Sequence, residues 1–218
     1  MQRKTFIHKP IDFNVNLEEV YLDNSRFYKT PEGIFPSVTT VVGWEKQQFF
    51  AEWRSRNPVE SKRVTSRGTK FHKLIEDYIN NEDIDFDGMI STQKSLFSLI
   101  KPELDKIDNV VALEQPLFSK TIGLAGRVDC IAEYDGKLSI IDFKASSKEK
   151  REQDIDNYFA QATAYALMFQ ERTGQIIENF AILIACEDGL RQVFQGNPLQ
   201  YVKHLHKLIT KYKKANYV

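Results

Sequence analysis

The chain has 218 residues, 42% of them hydrophobic, which suits one sizeable core rather than several large domains. Lysine and arginine balance aspartate and glutamate to a formal net charge of zero, so no global pull towards nucleic acid or membrane exists and local patches must carry any such binding. Only Cys130 and Cys186 are present, both in apolar strand patterns; they read as buried free thiols and exclude a disulfide framework or a four-cysteine metal centre within one chain.

The segment from Met1 to Asp12 is polar and lacks an apolar signal core, and the best apolar run, Phe180 to Cys186, is too short to span a bilayer. An intracellular, soluble protein is expected. Tyr21 to Phe35 alternates around Thr30-Pro31-Glu32-Gly33 and predicts a small hairpin. Ser37 is placed to cap a helix beginning at Val38, with Gly43 ending or kinking it. A second helix is predicted from Glu45 to Arg56. Asn57-Pro58 supplies a cap and first-turn proline for a third, running to Asn80 with a break expected near Gly68.

Glu82 to Asp87 reads as a solvated acidic loop, and a helix from Ser91 to about Ile107 follows it. Strand formers then fill Val110 to Ser119, Leu124 to Tyr134 and Lys137 to Ala145. Asp135-Gly136 marks a tight turn between the last two. A helix from Asp156 to Thr173, a strand from Glu178 to Cys186, an edge strand from Leu190 to Gln195 and a closing helix after Asn197-Pro198 complete the order. The fold class implied is α/β: a mixed central sheet, with an antiparallel meander, wrapped by helices. We read one domain over 1–218, with a hairpin and helical region at 1–107 and an α/β core at 108–218.

The Asp135-Gly136 turn pairs Tyr134 with Lys137, and continuing the count sets Asp129 opposite Asp142 on one face, with Lys144 beside Asp142. Two carboxylates at roughly 5 Å repel by about 3 kcal/mol at an effective dielectric of about 20. Either one protonates or a cation sits between them. Oxygen ligands point to magnesium or manganese rather than zinc. The plain alternative is an Asp-Lys ion pair on a solvated sheet face, but Ile140, Ile141 and Phe143 make this strand apolar on both sides.

His72 lies at the edge of the stripe formed by Phe71, Leu74, Ile75 and Tyr78, either as a packing residue or as a further metal ligand. Gln161 and Tyr165 share a helix face, either as polar tips of a core stripe or as partners of the carboxylate site. Glu114 is an acidic neighbour or an ordinary surface glutamate. His8, His204 and His206 lack comparable context. Arg54, Arg56, Lys62, Arg63, Arg67, Lys70 and Lys73 make the helices before the core basic, and Phe49, Phe50 and Trp53 interleave with them. That mixture suits single-stranded nucleic acid, or is a solvated helix face. The run from Lys203 to Lys214 reads as an amphipathic packing helix on Leu205, Leu208, Ile209 and Tyr212.

In order, Gly68-Thr69-Lys70-Phe71-His72, Gly126-Arg127-Val128-Asp129, Asp142-Phe143-Lys144 and Gln161 to Tyr165 resemble the RecB-like exonuclease branch of the PD-(D/E)XK nuclease superfamily. Pro36-Ser37-Val38-Thr39-Thr40-Val41 and Asp129 to Leu138 look like the mitochondrial genome maintenance exonuclease group and its phage relatives. The resemblance implies that His72, Asp129, Asp142 and the carbonyl of Phe143 hold Mg2+ or Mn2+. It implies that Lys144 acts on water and phosphate, and that Gln161 and Tyr165 position it. It further implies a helical arch through which a strand threads, with Ser37, Thr39, Trp53, Arg54, Arg67, Lys70 and Lys73 as DNA-contacting residues. Val128 stands where the superfamily has proline. Two cysteines cannot hold an iron-sulfur cluster, and no Gly-x-x-x-x-Gly-Lys-Ser/Thr loop exists for ATP.

The expected activity is metal-dependent hydrolysis of DNA from single-stranded or frayed ends, in replication, recombination or repair, by a monomer in the cytoplasm of a bacterium or phage-infected host. A structure-specific endonuclease and a non-cutting end-binding module are the competing readings.

Overall fold

A computed structural model describes residues 4–23 and 25–216. In chain order the elements are β1 (Glu18–Leu22), β2 (Ser25–Thr30), β3 (Gly33–Pro36), α1 (Val38–Val42), α2 (Gln47–Arg56), α3 (Pro58–Ile79), α4 (Ser91–Leu104), β4 (Ile107–Ser119), β5 (Leu124–Tyr134), β6 (Lys137–Ser146), α5 (Asp156–Thr173), β7 (Asn179–Cys186), β8 (Arg191–Gly196) and α6 (Val202–Asn216). Short 3-10 turns lie before α2, α5 and α6.

The main sheet has the order β4-β5-β6-β7-β8, antiparallel except for the parallel pair β6 and β7, which α5 connects. Asp135 and Gly136 both take left-handed φ values, +48° and +75°, which a tight two-residue turn between twisted strands requires. The register follows: Tyr134 pairs with Lys137 and Cys130 with Ile141. Strand β6 is central, and alternate residues feed two cores. Ile140 joins Ile131, Ile182, Ile184 and the apolar faces of α1, α5 and α6 on one side. Ile141 and Phe143 join Cys130, Leu183 and the faces of α3 and α4 on the other.

The N-terminal segment shields the β4 edge. Lys9 and Ile11 donate their amides to the carbonyls of Val110 and Val111, and Val110 donates back to Ile7. The expected hairpin of residues 21–35 is present as β2 and β3, but β1 adds a third strand that the charged run around Glu18 and Glu19 did not suggest. No break occurs at Gly68; α3 runs straight through it. Asn57 does not cap α3 with its side chain, because its amide nitrogen bonds back to the Trp53 carbonyl at 2.9 Å. Ser37 does cap α1, accepting from the Thr40 amide at 3.0 Å. Among the described residues no helix is long and apolar enough to cross a membrane.

Candidate active site

The β5-β6 ladder stops one pair short of the two aspartates. Beyond Cys130 and Ile141, the Asp129 carboxylate takes the amide of Phe143 at 2.9 Å, in place of the next main-chain partner. From there β6 follows β7 and β5 follows β4, and the fork between them holds the acidic groups. Asp129 and Asp142 are therefore neighbours, as their positions along the hairpin imply, but the sheet has parted between them. Both are buried, at 9% and 3% exposure.

Each flank of the fork contributes a helix. From α5, Gln161 donates from Nε2 to Asp142 Oδ1 at 2.7 Å, and Tyr165 is buried against Gly126. From α3, His72 brings Nδ1 to 3.6 Å from Asp129 Oδ2 and 3.7 Å from Glu114 Oε1. Lys144 follows Asp142 on the same strand face, its Nζ 2.5 Å from Asp142 Oδ2 and 5.1 Å from the centre of the Tyr158 ring. Asp142 Oδ2 is thus buried with the Lys144 ammonium as its charge partner.

Burial, reinforced by Asp129, pushes the Asp142 carboxyl up to about 6 despite the pull of Lys144. Burial alone would depress the Lys144 ammonium, but Asp142 and Asp129 outweigh it and hold that pKa above the ordinary lysine value. His72 is likewise raised: burial opposes the charge, and Asp129 and Glu114 more than compensate. The cluster thus draws positive charge inward from every side.

Of the two readings of Glu114, acidic neighbour or ordinary surface glutamate, the structure places it beside His72 and Asp129. It sits in β4 with φ +48°, a left-handed conformation that a strand glutamate rarely adopts and that costs on the order of 1–3 kcal/mol. On either side of it Leu113 pairs with Cys130 and Gln115 with Val128. Arg127 Nη1 donates to the Glu114 carbonyl at 2.6 Å. One ligand atom each from His72, Glu114 and Asp129 falls within 4.8 Å of the others. Nothing in a lone glutamate within an alternating strand announces such a kink.

Together with the buried Oδ2 of Asp142, this donor set of one imidazole and carboxylate oxygens fits a hard divalent cation. The Phe143 amide is committed to Asp129, and its carbonyl belongs to the ligand set only by resemblance. A cleft of about 570 Å3 opens over the cluster, walled further by Arg26, Tyr28, Thr39, Lys73 and Arg127. Arg26 and Arg127 were not among the expected contacts: Arg26 is a lone arginine on a short strand, and Arg127 fills an unspecified position of the Gly-x-x-Asp motif.

Of the expected nucleic-acid contacts, Thr39 and Lys73 line this cleft, and Thr39 and Arg54 line a second cavity beside it. Trp53 lies half-buried on α2, and Lys70 is exposed on α3. Two expectations need correction. Ser37 is buried, and its hydroxyl is spent on the α1 cap and on Thr40 Oγ1 at 2.8 Å. Arg67 is also buried; it bonds Ser147 Oγ at 2.9 Å and pairs with Glu187 at 2.6 Å, tying α3 to the ends of β6 and β7. Lys73 is held by Asp77 at 2.8 Å and faces the cleft only with its charge partly compensated.

A sheet forked at paired aspartates, with a lysine two residues on and helices on both flanks, gathers acidic groups and a cation of the kind a divalent metal and a phosphate could share. A family model for the PD-(D/E)XK nuclease superfamily matches residues 46–189, and the chain belongs to that superfamily. Among its relatives, the mouse protein named mitochondrial genome maintenance exonuclease 1 is 32% identical over 128 residues, 53% of this chain and 38% of the mouse protein. The human protein of that name is 29% identical over 174 residues, 72% of this chain and 50% of the human one. The chain thus spans about half the length, or less, of these relatives. A crystal structure of a Eubacterium rectale protein provisionally described as an exonuclease aligns with a TM-score of 0.49 at 13% identity, covering 71% of this chain and 69% of that one.

Proposed function

We propose that this nuclease is a metal-dependent exonuclease that hydrolyses phosphodiester bonds of DNA, preferring single strands or frayed ends, in replication, recombination or repair. The observation that carries the reading is the fork, in which Asp129, Asp142 and Lys144 meet His72 from α3 and Gln161 from α5. His72, Glu114, Asp129 and Asp142 would hold the cation, with the Phe143 carbonyl as a further ligand by family resemblance. Bound Mg2+ or Mn2+ supplies Lewis acidity towards the phosphate and a lowered pKa for the attacking water.

The chain's own residues do the rest. Lys144 presents a fixed ammonium where the phosphate gains negative charge, and its raised pKa keeps it protonated. Gln161 holds the Asp142 carboxylate by one oxygen and so aims the other into the fork. Tyr165, packed on Gly126 at the cleft wall, limits where the phosphate can lie. The exposed rings of Phe49 and Phe50 on α2, with the exposed basic residues of α2 and α3, support a single-stranded substrate, since unpaired bases offer their faces to aromatic rings. The reading extends to an intracellular monomer that needs neither an iron-sulfur cluster nor ATP.

The test uses end-labelled linear and covalently closed circular single strands, with magnesium, manganese or chelator. Metal-dependent loss of the linear strands with circles spared is expected. Cut circles would favour an endonuclease, and strand binding without cleavage in any metal would favour an end-binding module.

A further inference from the structure

The cleft continues past Arg26 and Thr39. These two residues also bound a second cavity of about 390 Å3, whose far side is made by Tyr21, Lys46, Phe50 and Arg54. The two chambers differ in charge. The first mixes Glu19, Glu76, Glu114 and Asp129 with Arg26, Lys73, Arg127 and Lys144; the second has Arg26, Lys46 and Arg54 and no carboxylate. The second chamber, charged in one sense only, suits an anion.

The second chamber is also pre-arranged. Arg26 Nη2 donates to Thr39 Oγ1 at 2.8 Å, which holds the guanidinium in the doorway. Lys46 is tethered to the main-chain carbonyl of Asp154 at 3.1 Å, while that residue's carboxylate is taken by Arg151 at 2.7 Å. The Arg54 side chain makes no hydrogen bond or ion pair among the described residues. Two large aromatic rings stand open to solvent beside these cations: Tyr21 at 65% exposure and Phe50 at 45%. The Tyr21 hydroxyl is fixed by Glu19 at 2.6 Å, and the Phe50 ring packs edge-on against Phe49 at 5.5 Å.

We propose that this chamber is a subsite for the nucleotide next to the scissile phosphate on a single strand, and the assignment rests on the nuclease reading above. Arg26, Lys46 and Arg54 take the neighbouring phosphate, and Tyr21 and Phe50 form the platform for its base. A base inside a duplex has both faces covered and cannot use that platform, so the subsite selects unpaired ends. Arg26, shared by both chambers, sets the register between the held nucleotide and the fork.

The full chain is titrated with a fluorescent oligothymidylate in chelator, across a salt series, so that binding is read without catalysis. Phe50→Leu is expected to weaken binding about tenfold and Phe50→Tyr to restore it, as stacking requires. Lys46→Ala and Arg54→Ala are each expected to lower the salt slope by about 0.7, one phosphate contact apiece. The exposed Lys207→Ala on α6 is the charge control. Hydrolysis of thymidine 5′-(p-nitrophenyl phosphate), too small to fill both chambers, should keep its kcat/KM in all four variants at the subsite. The proposal is overturned if Phe50→Leu, Lys46→Ala and Arg54→Ala bind like Lys207→Ala, or if they lose ester hydrolysis in proportion to strand binding. If the wild type cleaves neither substrate in any metal, the nuclease reading fails instead, and the chelator titration still decides the subsite.

Discussion

A Cβ placed on Gly126 would lie 2.6 Å from the hydroxyl of Tyr165 and 3.3 Å from two of its ring carbons. The glycine of the Gly-x-x-Asp strand and the tyrosine of the Gln-x-x-x-Tyr helix are thus one steric unit, which brings α5 close enough for Gln161 to reach Asp142. Gly126→Ala should destabilise the protein by roughly 1–3 kcal/mol, the usual cost of overpacking. Tyr165→Phe removes the atom that clashes. In urea unfolding, the double variant should recover about 1 kcal/mol relative to additivity; strict additivity would mean that the two residues do not constrain each other.

Asp142 makes the metal-free protein pH-sensitive. Its folded pKa of about 6 exceeds the ordinary 3.8, so between those values the native state binds the proton more tightly than the unfolded chain, and native stability falls as pH rises. Subtracting the stability of Asp142→Asn from that of wild type reports this group together with the Asp129, Lys144 and His72 charges it faces, and cancels carboxylates elsewhere. The difference should decline by roughly 3 kcal/mol from about pH 4 to about pH 7 in chelator, and magnesium should flatten the decline. A difference that rises with pH would put the Asp142 shift in the opposite direction.

Glu114 separates backbone strain from chemistry. Replacing it by glycine relaxes a left-handed φ, whereas alanine keeps the strain and loses the same carboxylate. Glu114→Gly should therefore be more stable than Glu114→Ala by about 1 kcal/mol. Both should need on the order of 10–100 times more magnesium for half-maximal activity, the loss typical of groups around a metal site. Unchanged magnesium dependence in both variants would remove Glu114 from the cation's surroundings.

Arg67 is expected to act through stability alone. Arg67→Ala strips Glu187 of one of its two arginine partners and leaves Arg63 to hold it, so a loss of roughly 2–4 kcal/mol follows from the broken buried pair. The salt slope of single-strand binding, measured below the unfolding transition, should not move. A shallower slope would return Arg67 to the nucleic-acid surface.

Much of this could be read from local chemistry. Asp135-Gly136 specifies a two-residue turn, and a turn of known length sets every pair down to Cys130 and Ile141. Ser37 announces its cap, and the apolar residues around Asp142 announce a central strand. The features that escaped depend on partners far away in sequence. Arg67 looks like any basic residue on a basic helix until Glu187 folds against it. The ladder opens at Asp129 because its carboxylate takes the Phe143 amide, a competition that alternation cannot reveal. Glycine at position 68 costs α3 little, since that helix is held by Phe71, Leu74 and Ile75 beyond it, and so the expected break does not form.

Lys144 and Asp142 are expected to act as one catalytic pair at the fork. The measurement is magnesium-dependent nucleotide release from an end-labelled linear single strand by wild type, Lys144→Ala and Asp142→Asn, with strand binding measured in parallel in chelator. Both substitutions should reduce release by about 100-fold or more while strand binding stays within about threefold of wild type. Release that continues at the wild-type rate in either variant would contradict that pairing.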